Sequence, residues 1–401
     1  MKNKDMAKEN EIKTAVPALR FPEFLDTESW GNDTVNNLVD IITPPKKIIL
    51  QKYLNEGDYP IVDQSQKYIS GWTNDKTAVI SKASLDNPII IFGDHTCILK
   101  RITFPFAQGA DGIKVLKSKD TIDGNFLYQA LLVCPVVQEE YKRHFSILKQ
   151  KEVFFPSIKS GEQQKIADCL SSLDELIEAT TQKVETLKEH KKGLMQRLFP
   201  AEGKNVPDLR FPEFQGTSVW QSTLLGAVVD YENGRAHENE IDEEGNFIVV
   251  NSKFISTDGE VVKRTNTPYC LADKEDILMV LSDVPNGRAI AKCFFVDQSG
   301  KYTVNQRICR LRSKNINSKL LFYLINRNPY FLSFDDGVKQ TNLKKSEVLE
   351  CPLMIPSSPI KQQKIADLLS SIDDLIIATG QRIKSLKEHK KGLMQQLFPK
   401  I

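Results

Sequence analysis

Residues Glu162–Pro200 read EQQKIADCLSSLDELIEATTQKVETLKEHKKGLMQRLFP, and residues Lys361–Pro399 read KQQKIADLLSSIDDLIIATGQRIKSLKEHKKGLMQQLFP. By direct alignment 28 of these 39 positions are identical. Shared amphipathicity would give far fewer, so the chain carries an internal duplication. In the first copy the spacing alternates four and three through Ile166, Leu170, Leu173, Ile177, Thr180, Val184, Leu187, Lys191, Leu194 and Leu198. The second copy repeats it at Ile365, Leu369, Ile372, Ile376, Thr379, Ile383, Leu386, Lys390, Leu393 and Leu397. A strict seven-residue period predicts a coiled-coil seam, because the face of an isolated globular helix drifts toward 3.6. Pro200 and Pro399 stop the two predicted helices, each of which spans roughly 50 Å at 1.5 Å per residue. The polar seam positions, Thr180 with Thr379 and Lys191 with Lys390, cost stability and fix register. Gly193 and Gly392 are expected either to permit close backbone approach or to mark fraying ends.

Outward from these segments lies a second repeat. PALRFPEF (Pro17–Phe24) followed by Trp30 recurs as PDLRFPEF (Pro207–Phe214) followed by Trp220. The chain is therefore two half-molecules in tandem, each a variable domain followed by a near-identical helix. The expected division is a flexible tail at 1–16, a first variable domain at 17–160, a central helix at 161–200, a second variable domain at 201–360 and a C-terminal helix at 361–401. Near-identical helices on one chain are expected to pair antiparallel, with a pseudo-two-fold. The fold class that follows is α+β: two mixed α/β domains joined by two long helices in an intramolecular coiled coil.

The variable segments change to short β-branched runs bounded by turn signals. Strands are predicted at Tyr59–Val62, Pro88–Phe92, Cys97–Ile102 and Ile113–Lys117, with a helix at Asn125–Val133. In the second half they fall at Phe247–Val250, Asp276–Leu281, Ala289–Val296 and Arg307–Arg312, with a helix at Ser318–Asn326. The two domains share this grammar but little sequence, as expected of a fixed scaffold with divergent loops.

A net charge of +2 means that any nucleic-acid-binding surface must be local. The polar first fourteen residues have no apolar core and read as a tail, not a signal peptide. No stretch is apolar for the eighteen residues a membrane span needs. Seven cysteines without a C-x-x-C point to reduced thiols in the cytoplasm and to no zinc site.

Polar and basic side chains in the predicted turns are candidates for DNA contact. In the first domain they are Gln64, Gln66 and Lys67 beside Asp63; His95 and Thr96 beside Asp94; and Gln108 with Asp111. In the second they are Asn251 and Lys253; Asn286 and Arg288 beside Asp283; Gln306 and Arg307 beside Asn305; and Gln340 and Asn342 beside Lys339. Gln and Asn can bond adenine bidentately and Arg can bond guanine, while Lys and Thr hold phosphates. Lys100 with Arg101, and Arg310 with Arg312, read as phosphate-facing basic pairs on strands. The KEHKK runs at Lys188 and Lys387 read as a solvated helix face. His95 has no nucleophile or metal-ligand partner at a recognisable spacing, so no residue is assigned a catalytic or metal-binding role.

The combination of RFPEF…W, a variable domain and QQKIADxLSSxDxLI…LKEHKKGLMQxLFP, used twice, resembles the specificity subunit of type I restriction–modification systems from Pro17 to Pro399. IIIFGDHT (Ile89–Thr96) and FAQGADGIKVL (Phe106–Leu116) also look like recurring target-recognition sequences, whereas the second domain has SDVPNG (Ser282–Gly287) in place of GDHT. The resemblance implies that each variable domain reads one half of a bipartite, asymmetric double-stranded DNA target and that the coiled coil sets the gap. It further implies two modification subunits that methylate adenine with S-adenosylmethionine, and two restriction subunits driven by ATP with Mg²⁺. A self-contained methyltransferase needs an Asn/Asp-Pro-Pro-aromatic clamp and a glycine-rich cofactor loop. Asn328-Pro329-Tyr330 is one proline short, and no G-x-G or Walker A sequence is present. The alternative is a coiled-coil scaffold that binds only proteins, for which two domains with polar, basic turns would be superfluous.

Overall fold

In each variable segment, short apolar and β-branched runs build two four-stranded sheets, and the same pair of sheets forms twice. The computed structural model describes residues 15–110, 112–139, 143–216, 219–285 and 287–400. They form two compact units. One runs to Gln182 and resumes at Gly380; the other spans Lys183–Thr379.

In the first unit one sheet is antiparallel, in the order 39–42, 113–118, 89–93, 99–102. Its central strand, Ile89–Gly93, is buried throughout. The other sheet runs 71–73, 59–62, 106–108, 79–80, with 59–62 and 106–108 parallel. The second unit repeats both orders, as 229–233, 308–313, 277–280, 293–295 and as 264–265, 247–250, 302–304, 271–272, with 247–250 and 302–304 parallel. A helix follows the first sheet in each case. Gly124–Val133 is capped by Asp123, which accepts the Phe126 N–H at 2.7 Å. Ser318–Ile325 is capped by Asn317, which accepts that of Leu320 at 2.8 Å. Such caps satisfy N–H groups that have no partner within the helix.

Each variable segment enters and leaves through one neck. Gly31–Thr34 pairs antiparallel with Glu152–Phe155 in the first unit, and Gln221–Leu224 with Pro352–Ile355 in the second. The repeat tryptophans sit behind these necks. Trp30 is packed with Phe126, Ile166, Leu170, Leu397 and Phe398, and Trp220 with Leu198, Leu320, Tyr323, Ile365 and Leu369. The RFPEF segments are tied to helix ends, with Leu19 N–H donating to Gln396 O at 2.9 Å and Leu209 N–H to Arg197 O at 2.8 Å.

The long helices span Glu162–Leu198 and Pro359–Leu397. Ile166, Leu170, Val184, Ile365, Leu369 and Ile372 are buried on them, and Leu173, Ile177, Leu187, Ile376, Ile383 and Leu386 are half-buried. Inside each unit the start of one long helix packs against the end of the other. In the first unit Lys390 Nζ reaches the Asp174 carboxylate at 2.6 and 2.7 Å, and Gln129 of the variable-domain helix donates to the same carboxylate at 3.0 Å. In the second, Lys191 Nζ meets Asp373 at 2.6 Å, and Tyr323 Oη donates to it at 2.7 Å. The seam lysines thus join three helices through one carboxylate in each unit, which fixes register and pins the variable domain. Thr180 and Thr379 turn their hydroxyls back to the carbonyls of Leu176 and Leu375, both at 2.6 Å.

The structure corrects several expectations. Ala15 and Trp30 exchange both backbone hydrogen bonds, so the end of the expected tail is anchored; residues 1–14 lie outside the described residues. The predicted strand Ala289–Val296 shrinks to Cys293–Phe295, because Ala289–Lys292 turns and Ala291 has a left-handed φ of 54°. A Cβ at Gly193 or Gly392 would meet no neighbour, and the helices run past both, so neither reading of these glycines holds. Among the described residues no helix is long and apolar enough to cross a membrane, and none of the seven cysteines is in a disulfide.

Candidate nucleic-acid interface

In the first unit three loops are drawn together at one edge of the sheets. Gly109 N–H donates to Val62 O at 2.8 Å, Asp94 N–H to Gly112 O at 2.7 Å, and Thr96 Oγ1 to Gln64 O at 3.1 Å. This joins residues 63–68, 94–97, 109–110 and 112 into one surface, on which Gln66 and Lys67 are exposed and Gln64, His95 and Thr96 half-buried. Asp111 lies outside the described residues.

Two of these joints recur in the second unit, and a third bond there draws in a further loop. Asn305 N–H donates to Val250 O at 3.0 Å, Leu281 N–H to Arg307 O at 2.8 Å, and Gln340 Nε2 to Ser282 Oγ at 2.6 Å. Residues 251–253, 282–285, 287–288, 305–307 and 340–342 are thereby linked into one series. Lys253, Arg288, Gln306, Arg307, Gln340 and Asn342 are exposed there, with Gln306 also donating to Glu238 at 2.5 Å. Asn286 falls outside the described residues.

Left-handed backbone shapes both surfaces. The position whose carbonyl closes the joint is Gly112 in the first unit (φ 99°) and Arg307 in the second (φ 68°). A Cβ on Gly112 would approach the Gln64 amide to 2.6 Å, so glycine serves both conformation and packing. An arginine in the left-handed region costs roughly 1–2 kcal/mol, and such strain gathers at functional sites. Asp283 organises the SDVPNG turn, accepting N–H bonds from Val284, Ala289 and Ile290 at 2.9, 2.6 and 3.1 Å.

Several expected contacts are instead internal supports. Lys100 is 4% exposed. It lies on the inward face of strand 99–102, and its ammonium donates to the carbonyls of Asp63 and Lys67 at 2.7 and 2.5 Å. Arg101 bonds Asn125 and Ser171 at 2.6 and 3.1 Å, tying its strand to the long helix. Gln108 is 2% exposed in strand 106–108. Asn251 caps a short helix by accepting the Phe254 N–H at 2.9 Å. Asp94 is buried and accepts the Phe145 N–H at 2.8 Å. Arg310 pairs with Glu232, and Arg312 with Asp276 at 2.8 Å and Asp273 at 2.5 Å. Burial opposes ionisation of Asp63, but hydrogen bonds from Ser70, Ser65 and Tyr53 outweigh it and hold the carboxyl below its ordinary range. These groups are engaged within the protein, where they place the loops, although Arg312 keeps 42% of its side chain exposed.

Two basic residues of these surfaces went unread in the sequence. Lys47 forms a bridge with Gln108, and Arg235 forms the matching bridge with Asn305; both are exposed. The available signal was a turn-rich stretch ending in a basic residue at a similar distance beyond each RFPEF.

Lys100→Met should therefore act through loop order. Losing two charge-assisted bonds is expected to cost about 1.5–3 kcal/mol, read as a lower unfolding midpoint. The slope of DNA affinity against salt should stay unchanged, because no phosphate contact is removed.

A family model of the type I restriction modification DNA specificity domain matches residues 28–189 and again 218–388. The chain is 23% identical over 400 residues to the type I restriction enzyme MjaVIII specificity subunit of Methanocaldococcus jannaschii, covering 92% of each. It is 26% identical over 264 residues to that organism's putative MjaX specificity subunit, covering 63% of this chain and 59% of the other. Its fold is similar to the crystal structure of a type I restriction–modification S subunit from M. genitalium, with a TM-score of 0.67, 18% identity and coverage of 96% and 99%. With two family matches that together span most of its length, the chain belongs to the type I restriction–modification DNA specificity family.

Proposed function

We propose that this chain is the non-catalytic, cytoplasmic DNA-reading subunit of a type I restriction–modification complex, in which each unit reads one half of a bipartite, asymmetric target. The supporting observation is the repeated scaffold. The same sheets, necks and two of the loop joints occur twice, while the exposed side chains differ: Gln66 and Lys67 on one surface, Arg288, Gln306, Arg307 and Gln340 on the other. A different set of donors and acceptors on each copy is what two different half-targets require.

The modification subunits, in this reading, dock on the repeated segments and methylate adenine with S-adenosylmethionine, and the restriction subunits use ATP and Mg²⁺. The test is to sequence methylated adenines in a host that expresses this chain with its modification subunit. One interrupted, asymmetric motif is expected; methylation without a motif, or a single uninterrupted one, would refute the reading.

Arg307→Gly separates stability from readout. Relief of the left-handed arginine should stabilise the fold by about 1 kcal/mol or more. Loss of the guanidinium should relax selectivity at one base pair of one half-target, by about 1–3 kcal/mol. Thermal unfolding and binding to single-base target variants measure the two effects.

A further inference from the structure

The two units differ at one buried locus behind the necks. In the first, Glu162 opens its long helix and is fully buried. Its carboxylate accepts from Arg20 Nε at 2.8 Å and Nη2 at 2.5 Å, and from Trp30 Nε1 at 3.2 Å. A carboxylate in the first turn of a helix is also favoured by the helix dipole.

The second unit repeats the surroundings of this carboxylate but not the carboxylate itself. Arg210 and Trp220 stand where Arg20 and Trp30 stand in the repeat, and the flanking ion pair Lys165–Glu23 recurs as Lys364–Glu213. The position of Glu162 is taken by Lys361, which is 4% exposed, and the first turn of this helix holds no acidic residue. The Lys361 ammonium lies 5.6 Å from the centre of the Trp220 ring. Burial, with the Arg210 guanidinium nearby, pulls the Lys361 ammonium below its ordinary range. Among the described residues neither Arg210 nor Lys361 makes an ion pair. Trp220 is 2% exposed, and its Nε1–H has no acceptor. A buried donor without a partner is destabilising, and two cations held near each other add to that.

We propose that Arg210, Lys361 and Trp220 Nε1 form a binding site for a carboxylate-sized anion at the start of helix Pro359–Leu397, which takes the place that Glu162 fills within the first unit. One source of the anion is a free small carboxylate. The other is an acidic side chain of a docked modification subunit, and only that source rests on the function proposed above.

The test uses the full chain, its Lys361→Glu variant, which supplies the carboxylate internally, and Arg210→Met, which removes one donor. Acetate is titrated against chloride at fixed ionic strength, and affinity for the modification subunit is measured separately. Lys361→Glu should raise the unfolding midpoint by about 2–4 °C. A saturable rise of similar size with acetate in the unsubstituted chain, absent from both variants, assigns the site to a free anion. No acetate response, together with about tenfold or greater loss of modification-subunit affinity in both variants, assigns it to a partner carboxylate. The proposal is overturned if Lys361→Glu is no more stable than the unsubstituted chain, or if the variants match it in both the acetate and affinity measurements. An unsubstituted chain that does not bind the modification subunit counts against the proposed function and leaves the acetate measurement decisive.

Discussion

Glu162→Ala is expected to destabilise the first unit by about 3–5 kcal/mol, the cost of leaving a buried charge without its partner. The carboxylate is enclosed, with side-chain exposures of 1% for Glu162 and 5% for Arg20. Ionised Glu162 holds the Arg20 guanidinium even more firmly protonated than usual. Its removal leaves Arg20 with only its bonds to Thr27 and Glu28, and the Trp30 indole N–H without its acceptor, beneath the neck that carries the variable domain. Denaturant unfolding of the variant should show a lower midpoint with an unchanged slope. Glu162→Gln, which keeps an acceptor for Trp30 but not the charge, should fall between the two. A change below 1 kcal/mol would show that solvent reaches Arg20 and that the ion pair is no anchor.

The second large effect concerns helix length. Under the proposed function the helices act as a ruler, so four residues inserted after Thr180 and four after Thr379 lengthen each by about 6 Å. B-DNA rises 3.4 Å per base pair, so the unread gap in the target should grow by about one or two base pairs. Four residues exceed a turn only slightly and shift the seam between its two alternating positions, so packing continues as a stutter. Two-residue insertions at the same sites turn the seam by about 200° and should abolish assembly with the modification subunit. The methylated motif of each variant, read from host DNA, reports both outcomes. An active four-residue variant with an unaltered gap would leave the helices as docking surfaces only.

Periodicity over long stretches was the legible part of this chain. The seven-residue seam locates both long helices, and strands Tyr59–Val62 and Phe247–Val250 match their predicted bounds because a short apolar, β-branched run and its flanking turn signals agree there. What failed was the direction in which individual polar residues point. Lys100 shares its strand face with Ile102, and the period of two places both inside. A charged residue with two backbone carbonyls to bond can occupy such a place, but those carbonyls come from residues 63 and 67, more than thirty positions away. Asn251 was misread because its helix, Ser252–Ser256, is too short to show a period. The left-handed turn at Ala291 and the start of the next strand after Arg307 depend on tertiary joints that local propensity does not encode. Loop residues could be nominated from their chemistry, but their convergence required the sheet order.

The modular reading rests on the necks. Strands 31–34 and 152–155 bring the two ends of the first variable segment side by side, so residues 31–155 can be exchanged for the corresponding segment of a relative without rerouting the chain. The most direct measurement is the set of methylated adenines in a host that expresses this exchange chain with its modification subunit. A motif with one half replaced, and with the other half and the gap retained, is the predicted result; simultaneous change of both halves would contradict it.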